Sequence, residues 1–98
     1  MKLKDILKDI EFEIIQGNLE IEVNGIEQDS RKIKKDNIFI AIDGFTVDGH
    51  NYIDEAIKNG ANCIILEKDI DIKNKDITVL KVIDSELAMA RYSSVFYG

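Results

Sequence analysis

The stretch Ile38-Phe39-Ile40-Ala41-Ile42 is apolar at every position. A strand with one face in water alternates apolar and polar residues. A strand covered on both faces does not, because each side chain meets protein whichever way it points. The run therefore predicts a central strand of a parallel sheet. A second run of the same kind, Cys63-Ile64-Ile65-Leu66, follows it. Between them, Ile53, Ala56 and Ile57 form an apolar stripe at helical spacing, with Asn51 as the expected N-cap, Asp54 in the first turn and Gly60 as the stop. Strand, helix and strand in this order make a βαβ crossover, expected to be right-handed.

The flanks extend this unit. Leu3, Ile6, Leu7 and Ile10 share one face of a short helix, residues 12–15 are β-prone, and Gln16-Gly17-Asn18 reads as a turn. Ile21-Glu22-Val23 and Ile26-Glu27-Gln28 flank Asn24-Gly25, which fits either a tight hairpin or one extended segment with a bend. Residues 67–76 are charged and read as a surface loop, and residues 77–82 as a third strand. Asp84 then caps a helix that carries Ala88, Tyr92, Val95 and Phe96 on one face. The fold class is α/β: a small open mixed sheet with a βαβ crossover and flanking helices.

Composition narrows the function. The 98 residues make one domain, and 13 Lys and Arg against 19 Asp and Glu leave a net charge of −6. That balance opposes non-specific binding to nucleic acid or an anionic membrane. No apolar run approaches the ~18 residues of a membrane span, and no signal-peptide core follows the Lys-rich start, so a cytoplasmic domain is expected. A single Cys and a single His build neither a disulfide framework nor a clustered transition-metal site, and no metal site is expected. Cys63 reads as a small buried hydrophobe. There is no Gly-x-x-x-x-Gly-Lys-Ser/Thr phosphate loop, no Gly-x-Gly-x-x-Gly and no Gly-x-Ser-x-Gly elbow, so no self-contained active site is legible. The chain stops at Tyr97-Gly98 just after an apolar cluster, which fits either a cut at a domain boundary or a natural end.

Two polar segments stand out. In Asp29-Ser30-Arg31, the hydroxyl and the guanidinium fork can both meet phosphate oxygens. The plainer reading is a strand-to-turn corner in which Asp29 or Ser30 bonds local backbone. The second segment is Asp43-Gly44-Phe45-Thr46-Val47-Asp48-Gly49-His50, between a buried strand and a helix start. Ligands of open α/β sheets bind at the carboxyl ends of strands, so Phe45 and Val47 either cover a flat ring or cap the core. His50 reads first as a hydrogen bond at the helix start rather than an acid or base. Lys32, Lys34 and Lys35 form a local basic cluster, expected to be exposed.

These segments, with Asn51-Tyr52-Ile53, Ala56-Ile57-Lys58-Asn59-Gly60-Ala61 and Val82-Ile83-Asp84-Ser85 leading to Phe96-Tyr97-Gly98, follow one family in order and spacing. They resemble the N-terminal domain of the Mur ligases of peptidoglycan synthesis over nearly the whole chain. The likeness is to the members that add the third amino acid and those that add D-Ala-D-Ala, and its opening and ending favour the former. Where the family has Pro-Gly-Asp, this chain reads Lys35-Asp36-Asn37, and Asp also tolerates the left-handed backbone such a turn needs.

The resemblance implies a single N-terminal domain over residues 1–98 that holds the UDP end of UDP-N-acetylmuramoyl-L-Ala-D-Glu. The ATP-binding and C-terminal ligase domains, with ATP and magnesium, would belong to the full-length ligase and be absent here. No cofactor would bind this domain, and the fragment alone would be inactive. Ser30 matches the family's UDP-contacting serine, Gln28 a neighbouring contact, and Phe45, Thr46 and Val47 the loop touching the nucleotide. Asp29, Arg31, Asp48, Gly49 and His50 would support that loop. The competing readings are a stand-alone interaction module of the same fold, and a small hydrolase using His50 with an Asp.

Overall fold

The computed structural model describes residues Met1–Gly98. Its centre is a five-stranded sheet in the order β1-β5-β4-β3-β2. The strands are β1 (Glu13–Gln16), β2 (Gly25–Glu27), β3 (Asn37–Ile40), β4 (Cys63–Leu66) and β5 (Thr78–Lys81). β2, β3, β4 and β5 run parallel, and β1 closes one edge antiparallel to β5. The mixed α/β sheet expected from sequence is what forms.

The uniform apolar runs split between two cores by alternation. Ile38, Ile40, Cys63, Ile65, Leu80 and Val82 face one side, where α1 (Leu3–Ile6) and α3 (Ser85–Tyr97) pack Leu3, Ile6, Ala88 and Tyr92 against them. Phe39, Ala41, Ile64, Leu66 and Val79 face the other, covered by Ile53 and Ala56 of α2 (Ile53–Lys58). Period-two geometry sends successive side chains to opposite faces, so a strand between two helical layers needs apolar residues throughout. Cys63 is a buried free thiol whose pKa burial pushes up, in keeping with a packing role.

Several boundaries differ from the sequence reading. The first helix stops after Ile6 because the backbone leaves the helix at Leu7 and Asp9 adopts φ 65°. Leu7, Ile10 and Phe12 still pack on the core, from irregular chain. Asn24-Gly25 forms no hairpin: the Asn24 N–H donates to Asp36 and β2 pairs with β3, so the segment is the extended alternative. Asp36 takes φ 62°, the left-handed turn anticipated there. Residues 67–77 are more than a surface loop. They carry the parallel connection from β4 to β5 without a helix, and bury Ile72 and Ile77 on the α2 face.

Two details hold the edges. Gly60 ends α2 at φ +121°, and a Cβ there would sit 2.8 Å from the Lys35 Cα, so only glycine lets the two backbones pass. Tyr97, at the end of α3, covers the open edge of β2. Its hydroxyl accepts from the Ile26 N–H at 3.1 Å and donates to the Ile26 carbonyl at 3.3 Å.

Candidate functional site

β2 and β3 are parallel neighbours, so their carboxyl ends release residues 28–31 and residues 41–48 on the same side of the sheet. The start of α2 comes immediately after. These three segments enclose a cavity of about 490 Å³. Small-molecule sites typically span ~300–1,000 Å³ and lie at the carboxyl ends of such strands.

Residues 28–31 are shaped by their own side chains. Asp29 accepts from the Arg31 N–H at 3.0 Å, turning the chain into a 3-10 turn at Ser30–Lys32. The Arg31 guanidinium returns to Asp29 with Nε at 3.0 Å and Nη2 at 2.9 Å. That fork lowers the Asp29 carboxyl to about 2. The local-turn reading of this corner is therefore the one Asp29 and Arg31 adopt. Ser30 is buried, its hydroxyl donates to Glu55 Oε1 at 2.5 Å, and its carbonyl accepts from Asn59 at 2.9 Å. Both bonds tie the turn to α2.

The loop after β3 is a pinched hairpin. Asp43 bridges Asp48, the Gly44 N–H donates to the Val47 carbonyl at 2.9 Å, and the Gly49 N–H donates to the Ile42 carbonyl at 2.7 Å. A Cβ at Gly49 would lie 2.8 Å from the Ile42 N, so the base of the loop depends on a missing side chain. Asp48, not Asn51, is the capping residue: it accepts from the His50 N–H and starts a 3-10 turn at Gly49–Tyr52 that runs into α2. An Asx side chain reaches the N–H two residues on, which places the cap upstream of the expected position.

His50 is buried inside this assembly. Its Nδ1 bonds Asp48 at 2.8 Å and its Nε2 accepts from the Glu67 N–H at 3.0 Å. The Nδ1–H tautomer satisfies both partners. Lys68 spans the outside, bonding Asp48 and, at 3.3 Å, Asp43. Lys68, with help from the His50 groups, holds the Asp48 carboxyl well below the usual carboxylate range. His50 thus bonds the capping Asp48 at the helix start, as read from sequence, and also pins the loop to the β4 exit through Glu67, which was not.

The structure brings Gln28, Asp29, Ser30, Arg31, Val47 and Gly49 together around the cavity. Phe45 and Thr46 stand apart at the loop tip, exposed and outside the lining, with the Phe45 ring fully in solvent. Asp48 and His50 lie behind the wall. Tyr52 and Glu55 line the cavity and were not singled out from sequence. Their spacing of three on a helical segment just after the loop puts them on one face, and that was the available signal.

Comparison with known proteins adds the family. Residues 22–97 match the family described as "Mur ligase family, catalytic domain". The chain belongs to the Mur ligase family. This Mur ligase chain is 47% identical over 100 residues to the UDP-N-acetylmuramoyl-L-alanyl-D-glutamate--2,6-diaminopimelate ligase of Clostridium tetani, covering 100% of the chain and 21% of that ligase. It is 43% identical over 98 residues to the Clostridium perfringens protein of the same name, covering 100% of the chain and 20% of the relative. The chain therefore spans about a fifth of the curated relatives it matches. Among solved structures, crystal structure I of MurF from Acinetobacter baumannii superposes with a TM-score of 0.68 at 27% identity, over 89% of this chain and 19% of that one. MurF from Thermotoga maritima in complex with ADP gives 0.61 at 28% identity, over 71% of this chain and 16% of that one. The fold of this Mur ligase chain is thus shared across ligases with different names.

Proposed function

We propose that this chain is the N-terminal, UDP-substrate-binding domain of a Mur ligase that adds 2,6-diaminopimelate to UDP-N-acetylmuramoyl-L-Ala-D-Glu. The observation that carries the reading is the cavity itself. It is lined chiefly from residues 28–31 and 42–49, segments apart in sequence that carry the family resemblance. They are brought together by the parallel pairing of β2 and β3 and by the bonds of the Ser30 turn to α2. Identities of 43–47% to diaminopimelate ligases, against 27–28% to the MurF structures, favour this specificity over D-Ala-D-Ala addition.

Gln28, Ser30 and Val47 are the proposed contacts to the nucleotide, with Tyr52 offering an aromatic face beside them. Phe45 and Thr46 would take part as a flap over the opening. Asp29, Arg31, Asp48, Gly49 and His50 hold the walls. No group of three or more His, Cys, Asp or Glu side chains is placed to hold a metal ion, and no phosphate loop is present in the sequence. ATP and magnesium would on this reading be held by other parts of a ligase. On this reading the isolated chain binds substrate without turning it over, partners the central and C-terminal ligase domains, and works in the cytoplasm. No helix is long and apolar enough to cross a membrane.

The test is an NMR titration of the 15N-labelled chain with UDP. Shifts at residues 28–31, 42–49, 52 and 55 support the assignment. Saturation of shifts elsewhere, or none there at millimolar UDP, overturns it.

A further inference from the structure

The Ser30 hydroxyl has a single proton, and it is committed to Glu55. What the serine offers the cavity is therefore lone pairs. Glu55 lies exposed on α2 and also lines the cavity. It receives this one side-chain hydrogen bond and makes no salt bridge, which leaves its second oxygen free to accept. The Arg31 charge is offset by Asp29, to which Nε and Nη2 donate, so the net charge of Asp29, Arg31 and Glu55 stays negative. A phosphate contact, if made, falls to the free Nη1 N–H groups of Arg31 rather than to Ser30. This corner of the cavity is rich in acceptors and carries negative charge.

A phosphate brings only acceptors and more negative charge to such a corner, so it is rejected there. A neutral group with an O–H or N–H fits it. In a uridine nucleotide those donors are the ribose hydroxyls and the imide N–H of the base. We propose that Glu55, sharing the Ser30 proton, is a specificity-determining residue of this site: it selects the nucleoside by accepting a hydrogen bond from one of its donors, and keeps the diphosphate outside the Ser30 corner. The proposal rests on the nucleotide-binding reading above and reverses the functional sequence reading in which Ser30 donates to phosphate.

The experiment compares wild type with Glu55→Gln, an isosteric change at an exposed position, by NMR titration with uridine, UDP and pyrophosphate. 2′-Deoxyuridine, 3′-deoxyuridine and 3-methyluridine each remove one candidate donor. A hydrogen bond to a charged acceptor corresponds to about tenfold or more in affinity. Removal of one ligand donor is expected to weaken wild-type binding about tenfold and to cost clearly less in Glu55→Gln, whose neutral amide oxygen accepts more weakly than the carboxylate, the signature of a direct coupling. The same series identifies whether ribose or base supplies the donor. Pyrophosphate is expected to leave residues 30 and 55 unshifted in wild type. The proposal is overturned if folded Glu55→Gln binds uridine within about twofold of wild type while wild type binds in the cavity, or if pyrophosphate competes for the Ser30 corner. If neither uridine nor UDP shifts the cavity in wild type, the nucleotide-binding reading falls and this proposal with it. Should the variant not fold, the ligand series on wild type decides: no donor whose removal matters overturns it.

Discussion

His50→Ala is expected to damage the fold of the site more than any surface change near it. The imidazole side chain is only 2% exposed and ties the loop after β3 to the exit of β4. Its loss removes the Nδ1 bond to the Asp48 carboxylate, of a class worth ~1.5–3 kcal/mol. It also strands the Glu67 N–H, now bonded to Nε2 at 3.0 Å, at a cost of ~1–3 kcal/mol. The two losses share one ring and are not strictly additive, so about 3 kcal/mol is expected in all. For a chain of this length each kcal/mol lowers Tm by ~4–8 °C, giving a drop of roughly 12–24 °C. Urea unfolding followed by circular dichroism measures the free energy, and a thermal scan the midpoint. His50→Asn retains a donor near the Nδ1 position and should recover part of the loss. A cost below about 1 kcal/mol for His50→Ala would refute the view of His50 as the pin of this loop.

Other expectations come from the same geometry. Gly49→Ala pushes a methyl group to 2.8 Å from the Ile42 N. It should cost ~1–3 kcal/mol by forced displacement of the loop base, with the largest chemical-shift changes at residues 42–49. Wild-type stability and an unchanged spectrum there would contradict the close approach. Asp29 titrates at about 2 in the folded state against 3.8 ordinarily, and Asp48 is lowered as well. The unfolded chain binds these protons first, so their stabilisation is present above about pH 4 and is lost as pH falls toward about 2. Arg31→Gln should flatten the Asp29 share of that acid slope and Lys68→Met the Asp48 share, as read by urea midpoints across pH. An unchanged slope in both variants would disprove the assignment.

Much of the architecture was legible because one physical rule wrote it into contiguous residues. The runs at 38–42 and 63–66 are apolar throughout since both faces of those strands are covered, and Gly60 marks the only backbone that fits against Lys35. The site was half legible. Asp29-Ser30-Arg31 and the Asp43–His50 loop announced themselves as polar segments after strands. Their partners did not, because Glu55 meets Ser30 from 25 positions away and Glu67 meets His50 from 17. The spacing of an acidic residue on a short helix says nothing about which hydroxyl it will hold.

The sequence by itself determined the α/β class, the order of strands and helices, the absence of a phosphate loop, and the family likeness that points to a uridine nucleotide. Each of these is a property of local pattern. Tertiary structure decided the rest: that β2 lies parallel beside β3 rather than folding into a hairpin, that residues 67–77 bridge two strands while burying Ile72, and that Phe45 stands in solvent while Tyr52 lines the cavity. It also decided what Ser30 can do. Composition supplies a hydroxyl that both donates and accepts, and only the carboxylate brought to 2.5 Å by α2 settles where its one proton goes.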